Sequence, residues 1–248
     1  MYRFYVAKEQ IGETEIAITG TDVNHIKNVL RLEPGEWLVV CDGNNMDYYC
    51  RVKSLFQDEV LCTIEKTELG DTELPARIVL FQGLPKGDKM DFIVQKAVEL
   101  GAHTIVPVTT SRSVVKLDEK KGAKKQERWQ KIAEAAAKQC DRGVIPVVEK
   151  PVTLSQAFDM ARNLEYNMIP YECAKGIEEA RQMVAEAAKA ESVGIFIGPE
   201  GGFAPEEVEK AAETGARVMT LGRRILRTET AGMALLSILM FAMQKGEG

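Results

Sequence analysis

The sequence of 248 residues has few of the side chains that bind metals. It contains two histidines, His25 and His103, and its five cysteines never form a Cys-x-x-Cys pair. A structural or catalytic zinc site therefore lacks its usual ligands, and we predict no metal. Scattered cysteines in odd number fit reduced thiols, so we expect a protein of the cytoplasm.

Long apolar runs and an excess of positive charge are also missing. The longest apolar run, AGMALLSILMFAM, is too short to cross a bilayer, and the chain starts with MYRFYV rather than a basic and then apolar leader. We therefore predict no membrane association. Because the formal net charge is −5, any nucleic-acid site must be a local basic patch.

The pattern of the sequence changes near residue 70. Before it, short alternating segments such as DYYCRVKSL and EVLCTIEKT indicate a small β-domain with one helix at about residues 22–30. After a linker at residues 70–75, six apolar strand-like segments alternate with helical ones, which predicts a parallel sheet covered by helices. These helices are expected at residues 90–100, 126–139, 154–161, 177–190, 205–214 and 230–243.

The loops that follow parallel strands are candidate ligand sites. Neither GxGxxG nor GxxxxGK[ST] occurs, so the usual dinucleotide and triphosphate loops are excluded. The loop at residues 198–203 reads GPEGGF, in which Gly201 and Gly202 allow positive φ and close approach of the backbone to a ligand.

Carboxylates surround this glycine-rich loop. Glu200 lies inside it, and Glu206 and Glu207 follow Pro205 in the first turn of the next predicted helix. A helix start that is already neutralised is a poor site for phosphate. The loop suits a neutral or cationic ligand, or it is a strand-to-helix turn whose acids only cap the helix.

A second loop, TLGRRILRTETAG at residues 220–232, precedes the last helix. Gly222 permits a sharp exit from the strand, Thr228 or Thr230 is a candidate helix cap, and Glu229 lies near the positive helix end. This loop also contains three arginines: Arg223, Arg224 and Arg227. They suit a phosphate backbone or a substrate base, or they form a solvated loop with one Arg–Glu ion pair.

One sizeable block of the chain is net positive. Lys86, Lys89, Arg112 and Lys116 follow predicted strand ends, and residues 116–142 contain nine lysines and arginines against five acids. The block is either a solvated helix face with a mobile lysine loop or, together with the arginines, a track for phosphates. The final apolar helix is either a core helix or a dimer interface.

These segments together resemble the RsmE family, the small-subunit ribosomal RNA uridine N(3)-methyltransferases of the SPOUT, or trefoil-knot, class. The resemblance rests on GPEGGF at residues 198–203 and LGRRILRTETA at residues 221–231. It is supported by KGDKMDFIVQKAVELG, SRSVVK, ERWQKIAEAAAKQC and HIKNVLRLEPGE. The motifs occur in family order over most of the chain, which makes the match far more specific than a single glycine motif.

The resemblance implies an α/β fold in two parts. A PUA-like RNA-binding β-barrel is expected over residues 1–72, and a parallel-sheet SPOUT domain with a trefoil knot over residues 73–248. The resemblance also implies a homodimer, S-adenosyl-L-methionine as cofactor, and small-subunit ribosomal RNA or the assembled small subunit as partner. The cofactor residues carried over by position are Glu172, Gly198, Glu200, Gly201, Gly202, Leu221, Gly222, Arg223, Arg224, Ile225 and Leu226.

For methylation of uridine N(3), the base must lose a proton and its negative charge must be stabilised. Arg227 is the candidate that stabilises the negative charge, and Glu229 is the candidate that accepts the proton. The candidate RNA-binding residues are Arg3, Lys27, Arg31, Lys86 and Arg112. Because residues 1–70 contain seven lysines and arginines against twelve acids, the N-terminal domain would bind RNA on one face only.

Two alternatives to this function stay open at the sequence level. One is a knotted methyltransferase that modifies another RNA position, such as a ribose 2′-hydroxyl. The other is a cofactor-binding ribosome-assembly factor without catalysis, because a fold does not determine a function.

Overall fold

The computed structural model describes residues 1–115 and 117–244, so Lys116 of the basic block lies outside the described residues. Its contacts divide the chain into two units. One comprises Met1–Glu73 with Ala137–Ile145, and the other comprises Leu74–Ala136 with Pro146–Gly248. The sequence does not predict that the segment Ala137–Ile145 joins the first unit. The domain boundary between residues 72 and 73 stays a prediction.

The first unit is built on a five-stranded sheet with the order β1-β3-β4-β5-β2. Its strands are β1 (Arg3–Tyr5), β2 (Glu15–Thr19), β3 (Trp37–Cys41), β4 (Met46–Leu55) and β5 (Glu59–Leu69). Helix α1 (Thr21–Asn24) continues as one π-helical stretch, His25–Leu30, so the single predicted helix is present with a change of winding. Alternate residues of the strands, such as Leu38 and Val40, point into the core.

The segment Ala137–Ile145 is tied to the first unit by polar contacts. Arg142, which is 4% exposed, donates from Nε to Oε1 of Glu73 at 3.1 Å. The backbone N–H of Asn45 donates to the carbonyl of Gly143 at 2.8 Å. Such long-range pairs have no local sequence signal, which explains why sequence patterns assign this segment to the second part of the chain.

The second unit contains a seven-stranded sheet in which every paired strand is parallel. Its strands are β6 (Arg77–Gly83), β7 (Ala102–Thr109), β8 (Val147–Val148), β9 (Val152–Thr153), β10 (Tyr166–Pro170), β11 (Ser192–Ile197) and β12 (Arg217–Met219). The order is β12-β10-β11-β6-β7-β8, and β9 also pairs with β7. The predicted α/β fold with a parallel sheet is confirmed, whereas the trefoil knot stays a prediction.

Five helices connect these strands, and a sixth follows the last strand. They are α2 (Lys89–Glu99), α3 (Glu119–Gln139), α4 (Leu154–Ala161), α5 (Ile177–Ala187), α6 (Pro205–Glu213) and α7 (Thr228–Met243). All six predicted helices exist, and none in the described part of the chain is long and apolar enough to cross a bilayer.

Two boundaries differ from the prediction for physical reasons. The expected lysine loop before residue 126 is helical from Glu119, so a mobile loop there is wrong. Gly122 is buried in this helix, and a Cβ on it would lie 3.6 Å from the ring of Pro151, an ordinary packing distance. The predicted strand VIPVV is only Val147–Val148, because Pro146 before it provides no N–H for a strand ladder.

The register between β6 and β11 positions the site. It pairs Phe81 with Phe196, whose rings stack with centroids 4.4 Å apart in the core. The next pair along the strands is Gln82 with Ile197, so the two strands end side by side. The loops that leave these strand ends therefore start next to each other.

Candidate active site

The carboxyl ends of three neighbouring strands, β10, β11 and β12, open into one cavity of about 370 Å³. The segment after β11, residues 198–203, is here called the glycine loop, and the segment after β12, residues 221–227, the arginine loop. The cavity is lined by Lys89, Pro170, Tyr171, Glu172, Ile197, Gly198, Pro199, Glu200, Gly202, Phe203, Thr220, Leu221, Gly222, Arg223, Arg224, Ile225, Leu226, Arg227, Thr228 and Ala231. This is where parallel sheets bind ligands.

The glycine loop is a tight turn that folds back on itself. Gly202 has a φ of 65°, and its N–H donates to the carbonyl of Pro199 at 2.9 Å. A Cβ on Gly198 would lie 3.0 Å from the backbone of Gly202, and one on Gly83 of β6 would lie 2.6 Å from Pro199. Side chains are therefore excluded at these positions by the closeness of two backbones.

Glu200 is held at the cavity wall by two donors. The Nζ of Lys89 lies 2.8 Å from its Oε1, and the backbone N–H of Lys86 lies 3.1 Å from the same oxygen. Burial disfavours the charged form of Glu200, but the hydrogen bonds from Lys89 and from backbone N–H groups outweigh burial and lower its pKa. The same contact with Glu200 raises the pKa of Lys89.

The outer side of the glycine loop is bound to the segment after β7. The Nη1 of Arg112 donates to the carbonyl of Gly201 at 2.9 Å. Glu207 accepts from the backbone N–H groups of Ser111 and Ala204, both at 2.8 Å, and so caps α6 while connecting it to this segment. In this structure Arg112, a predicted RNA contact, stabilises the loop, and Gly201 does not line the cavity.

The inner side of the glycine loop is bound to the start of α7. The hydroxyl of Thr228, which is buried, donates to the carbonyl of Gly198 at 2.6 Å and accepts from Nε2 of Gln82 at 2.8 Å. Thr228 is the first residue of α7, and Arg227 occupies the N-cap position without a capping side-chain bond. The prediction that Thr228 or Thr230 caps this helix is therefore wrong.

The arginine loop makes few contacts of its own. Gly222 has a φ of 108°, and Ile225 is 82% exposed. Arg223, Arg224 and Arg227 are exposed, and none forms an ion pair with another described residue. The Arg–Glu pair considered from the sequence is not present. Three guanidinium groups thus remain available at the cavity.

Glu229 has an unusual environment in the first turn of α7. Its Oε2 is buried and has no hydrogen-bond donor among the described residues. The nearest cation recorded for it is the Nζ of Lys89, at 3.7 Å. A buried carboxylate oxygen without a hydrogen-bond donor lowers the stability of the folded protein. Its presence at this position therefore suggests a functional role.

The structure brings together ten of the eleven residues predicted for the cofactor, with Gly201 as the exception, and adds Arg227 to them. Glu229 is adjacent to the cavity-lining Thr228 but does not line the cavity itself. Sequence patterns missed Lys89 as a member of this site, along with Tyr171, Phe203 and Thr220. Sequence analysis noted that Lys89 follows a predicted strand end, but it did not connect this residue with the two loops of the cavity.

The other residues predicted to contact RNA differ in how exposed they are and in whether they already bind another part of the chain. Arg3 is largely buried, with its Nη2 2.7 Å from Oδ2 of Asp47. Lys27 donates to the carbonyl of Phe56 at 2.7 Å. Arg31 is exposed without an ion pair in the described part of the chain, and Lys86 is exposed while its backbone binds Glu200. Their role in RNA binding stays a prediction.

No group of three or more histidine, cysteine or acidic side chains among the described residues is arranged to hold a metal ion.

Two family models match the chain. The RNA methyltransferase domain matches residues 72–240, and the RNA methyltransferase PUA domain matches residues 18–66. Together with the parallel sheet and its loop-built cavity, these matches place the chain in the class of RNA methyltransferases that carry a PUA domain.

Relatives define the family within this class. The ribosomal RNA small subunit methyltransferase E of Bacillus subtilis is 38% identical over 247 residues, covering 97% of this chain and 96% of the relative. The protein of that name from Mesomycoplasma hyopneumoniae is 33% identical, covering 96% and 98%. The crystal structure of the Neisseria gonorrhoeae methyltransferase E bound to S-adenosyl methionine aligns with a TM-score of 0.79 and 32% identity, covering 96% and 95%. The chain belongs to the ribosomal RNA small subunit methyltransferase E family.

Proposed function

We propose that the protein transfers a methyl group from S-adenosylmethionine to N(3) of a specific uridine in small-subunit ribosomal RNA. One observation carries the proposal. The cavity lies between a glycine loop held by hydrogen bonds and an arginine loop that forms no ion pair with a described residue. The chain also aligns along nearly its whole length with a relative solved bound to S-adenosyl methionine.

The residues of the cavity fit such a cofactor. Its volume of about 370 Å³ falls in the range of small-molecule sites. S-adenosylmethionine carries a sulfonium cation, a carboxylate and no phosphate, so acidic side chains at a glycine turn are compatible with it. The residues proposed to hold it are Glu172, Gly198, Glu200, Gly202, Leu221, Gly222, Arg223, Arg224, Ile225 and Leu226, with Gly201 supporting the loop from outside.

The reaction demands removal of the N(3) proton and control of the charge that results. When bound, the cofactor supplies an electrophilic methyl group. Arg227, exposed at the cavity wall, stabilises the negative charge that spreads onto the two carbonyl oxygens beside N(3). A guanidinium group in an internal ion pair would do this less well, and none is recorded for Arg227 among the described residues.

Glu229 is proposed as the proton acceptor. Its Oε2 has a free lone pair, because no described residue donates to it. Lys89 lines the cavity, and its Nζ lies 3.7 Å from this oxygen. Lys89 also binds Glu200, so it positions both carboxylates relative to the cavity.

We also propose a homodimer that works in the cytoplasm. Helix α7 buries Leu235, Leu239 and Met243, yet Phe241 on its other face is 79% exposed. Exposed Ile238 of α7 and Phe92 of α2 add to the apolar surface of this unit. A second copy is the partner that would cover such a surface.

The test is deletion of the gene followed by mass spectrometry of modified nucleotides in small-subunit RNA. We expect one N(3)-methyluridine to disappear and to return when purified protein and S-adenosylmethionine are added to free RNA or to small subunits from the deletion strain. Loss of a ribose 2′-O-methyl group instead would move the target to the sugar. If no modification disappears, the result favours the ribosome-assembly factor over the proposed methylation.

A further inference from the structure

We propose that the outer face of α3 is a binding surface for the phosphate backbone of the RNA substrate. The surface, here called the basic stripe, consists of Lys121, Lys124, Arg128 and Lys131. This inference rests on the proposed function, since it names how the substrate of that site is held. None of the four residues lines the cavity. All four belong to the basic block at residues 116–142, which the sequence left open as a solvated helix face or a track for phosphates.

The stripe follows from the helical spacing of the basic residues. Positions three and four apart lie on the same side of an α-helix, and these four residues are separated by three, four and three positions. All four are exposed, whereas Trp129, Ala133 and Ala136 on the opposite side are at most 4% exposed. The stripe is about 15 Å long, enough to follow several consecutive phosphates of one strand.

The charge of α3 is unusual for this chain. The helix contains seven lysines and arginines against three glutamates, a net charge of +4 in a protein with a net charge of −5. Lys124 and Lys131 form no ion pair with any other residue that the structure describes. Lys121 pairs at 3.1 Å with Asp118, which is itself exposed, and Arg128 pairs with Asp91. Two of the four cations in the stripe therefore have no ion-pair partner in the part of the chain that the structure describes.

Helix stability does not explain these lysines. The first turn of a helix favours acidic side chains, because its free N–H groups carry partial positive charge. The first turns of α5 and α6 follow this rule with two glutamates each. In contrast, α3 has Lys120 and Lys121 directly after Glu119. Glu119 and Asp118, whose Oδ1 accepts from the backbone N–H of Lys121 at 2.8 Å, already supply the negative charge that this turn favours. The dipole of α3 therefore gives no reason for the lysines that follow them.

The test measures RNA binding and methylation by full-length variants. In the first variant, Lys124 and Lys131 are both replaced by glutamine, which removes two positive charges. In the second variant both are replaced by glutamate, which reverses the charges and so enlarges the effect on RNA binding. The matched control is Lys189→Glu with Lys210→Glu. Both lysines are exposed, one two residues after the end of α5 and the other in the last turn of α6. Circular dichroism verifies folding, and light scattering reports the oligomeric state.

We expect the K124Q/K131Q variant to weaken RNA binding on the order of tenfold at low salt and to reduce the slope of log K against log salt by about 2, one unit per lost phosphate contact. The variant with glutamate at both positions should lose more RNA affinity than the glutamine variant. Cofactor affinity and kcat at saturating RNA should not change, because the stripe lies outside the cavity. The control should bind RNA like the wild type.

Two results would overturn the inference. In one, both stripe variants bind RNA with the affinity and salt slope of the control. In the other, affinity falls only together with a change in oligomeric state, which would assign the stripe to an interface between copies. If the wild type binds RNA but methylates none, the proposed function fails while the stripe is still tested by binding alone.

Discussion

The two loops that form the cavity are stabilised in opposite ways. The glycine loop is bound on its outer side by Arg112, on its inner side by Thr228, and at Glu200 by Lys89 and the backbone of Lys86. The arginine loop leaves three guanidinium groups and the exposed Ile225 without comparable partners in the described part of the chain.

This difference suggests different roles for the two loops, with the glycine loop as a rigid scaffold and the arginine loop as a source of reactive charged groups. Hydrogen bonds from three directions keep the glycine loop in one shape, so little ordering entropy is lost when a ligand binds it. The arginine loop keeps its charges unpaired, so they are available to a substrate that brings negative charge. Substitutions in the glycine loop should therefore affect cofactor affinity and stability. In the arginine loop, substitution of Arg227 should affect turnover, because the other residues of that loop are proposed to hold the cofactor.

The largest effect is expected for Arg227→Ala. It removes a charge that acts on the transition state, and we expect kcat to fall by about 100-fold to 1,000-fold while the Kd of the cofactor changes little. Steady-state methylation and calorimetric titration measure the two quantities. Arg181→Ala, on the exposed face of α5, removes the same side chain elsewhere and should leave both unchanged. A normal kcat for Arg227→Ala would remove this residue from the mechanism.

Gly198→Ala is expected to have the next largest effect. Its Cβ would lie 3.0 Å from the backbone of Gly202, so the loop must shift, at a cost of about 1–3 kcal/mol in the free energy of unfolding and with weaker cofactor binding. Gly122→Ala is the control, because its Cβ meets only an ordinary contact inside α3. That change should stabilise the protein by about 0.5–1 kcal/mol. Equal effects of the two changes would contradict the tight turn.

Thr228→Val keeps the shape of the side chain and removes its hydroxyl. The carbonyl of Gly198 and the Nε2 of Gln82 then each lose a partner, and we expect a loss of about 1 kcal/mol in the free energy of unfolding. Thermal melts and cofactor titration provide the measurement. Thr228→Ser restores the hydroxyl and should recover most of the loss. If valine and serine behave alike, the hydroxyl does not hold the glycine loop.

The smallest effect concerns pH and Glu200. Because its pKa is lowered from the ordinary value of 4.5 in the folded state, its stabilising contribution is present above that value and is lost as the pH falls through the folded pKa. Wild type should therefore exceed Glu200→Gln in stability near neutral pH, and the difference should shrink in acid. Denaturant unfolding between pH 3 and pH 7 measures it, with the exposed Glu206→Gln as control. A constant difference across this range would contradict the assignment.

Sequence patterns predicted the parallel sheet and its six helices, because alternation and helical periodicity indicate such elements. The family resemblance supplied eleven cofactor residues by position, and ten of them line one cavity. The patterns missed Lys89, which is far from both motifs in sequence but lies 2.8 Å from Glu200. They also missed the docking of Arg142 on Glu73, because pairing across 69 positions has no periodic signal.

By itself the sequence determined which segments become strands and helices and which loops follow strand ends, because these depend on neighbouring residues. Only the tertiary structure decided which polar groups form hydrogen bonds with each other. It bound the side chain of Arg112 to the glycine loop and left the Oε2 of Glu229 without a donor among the described residues. It also formed the basic stripe by extending α3 through the lysines. Such outcomes depend on distances between residues remote in the chain, which packing alone determines.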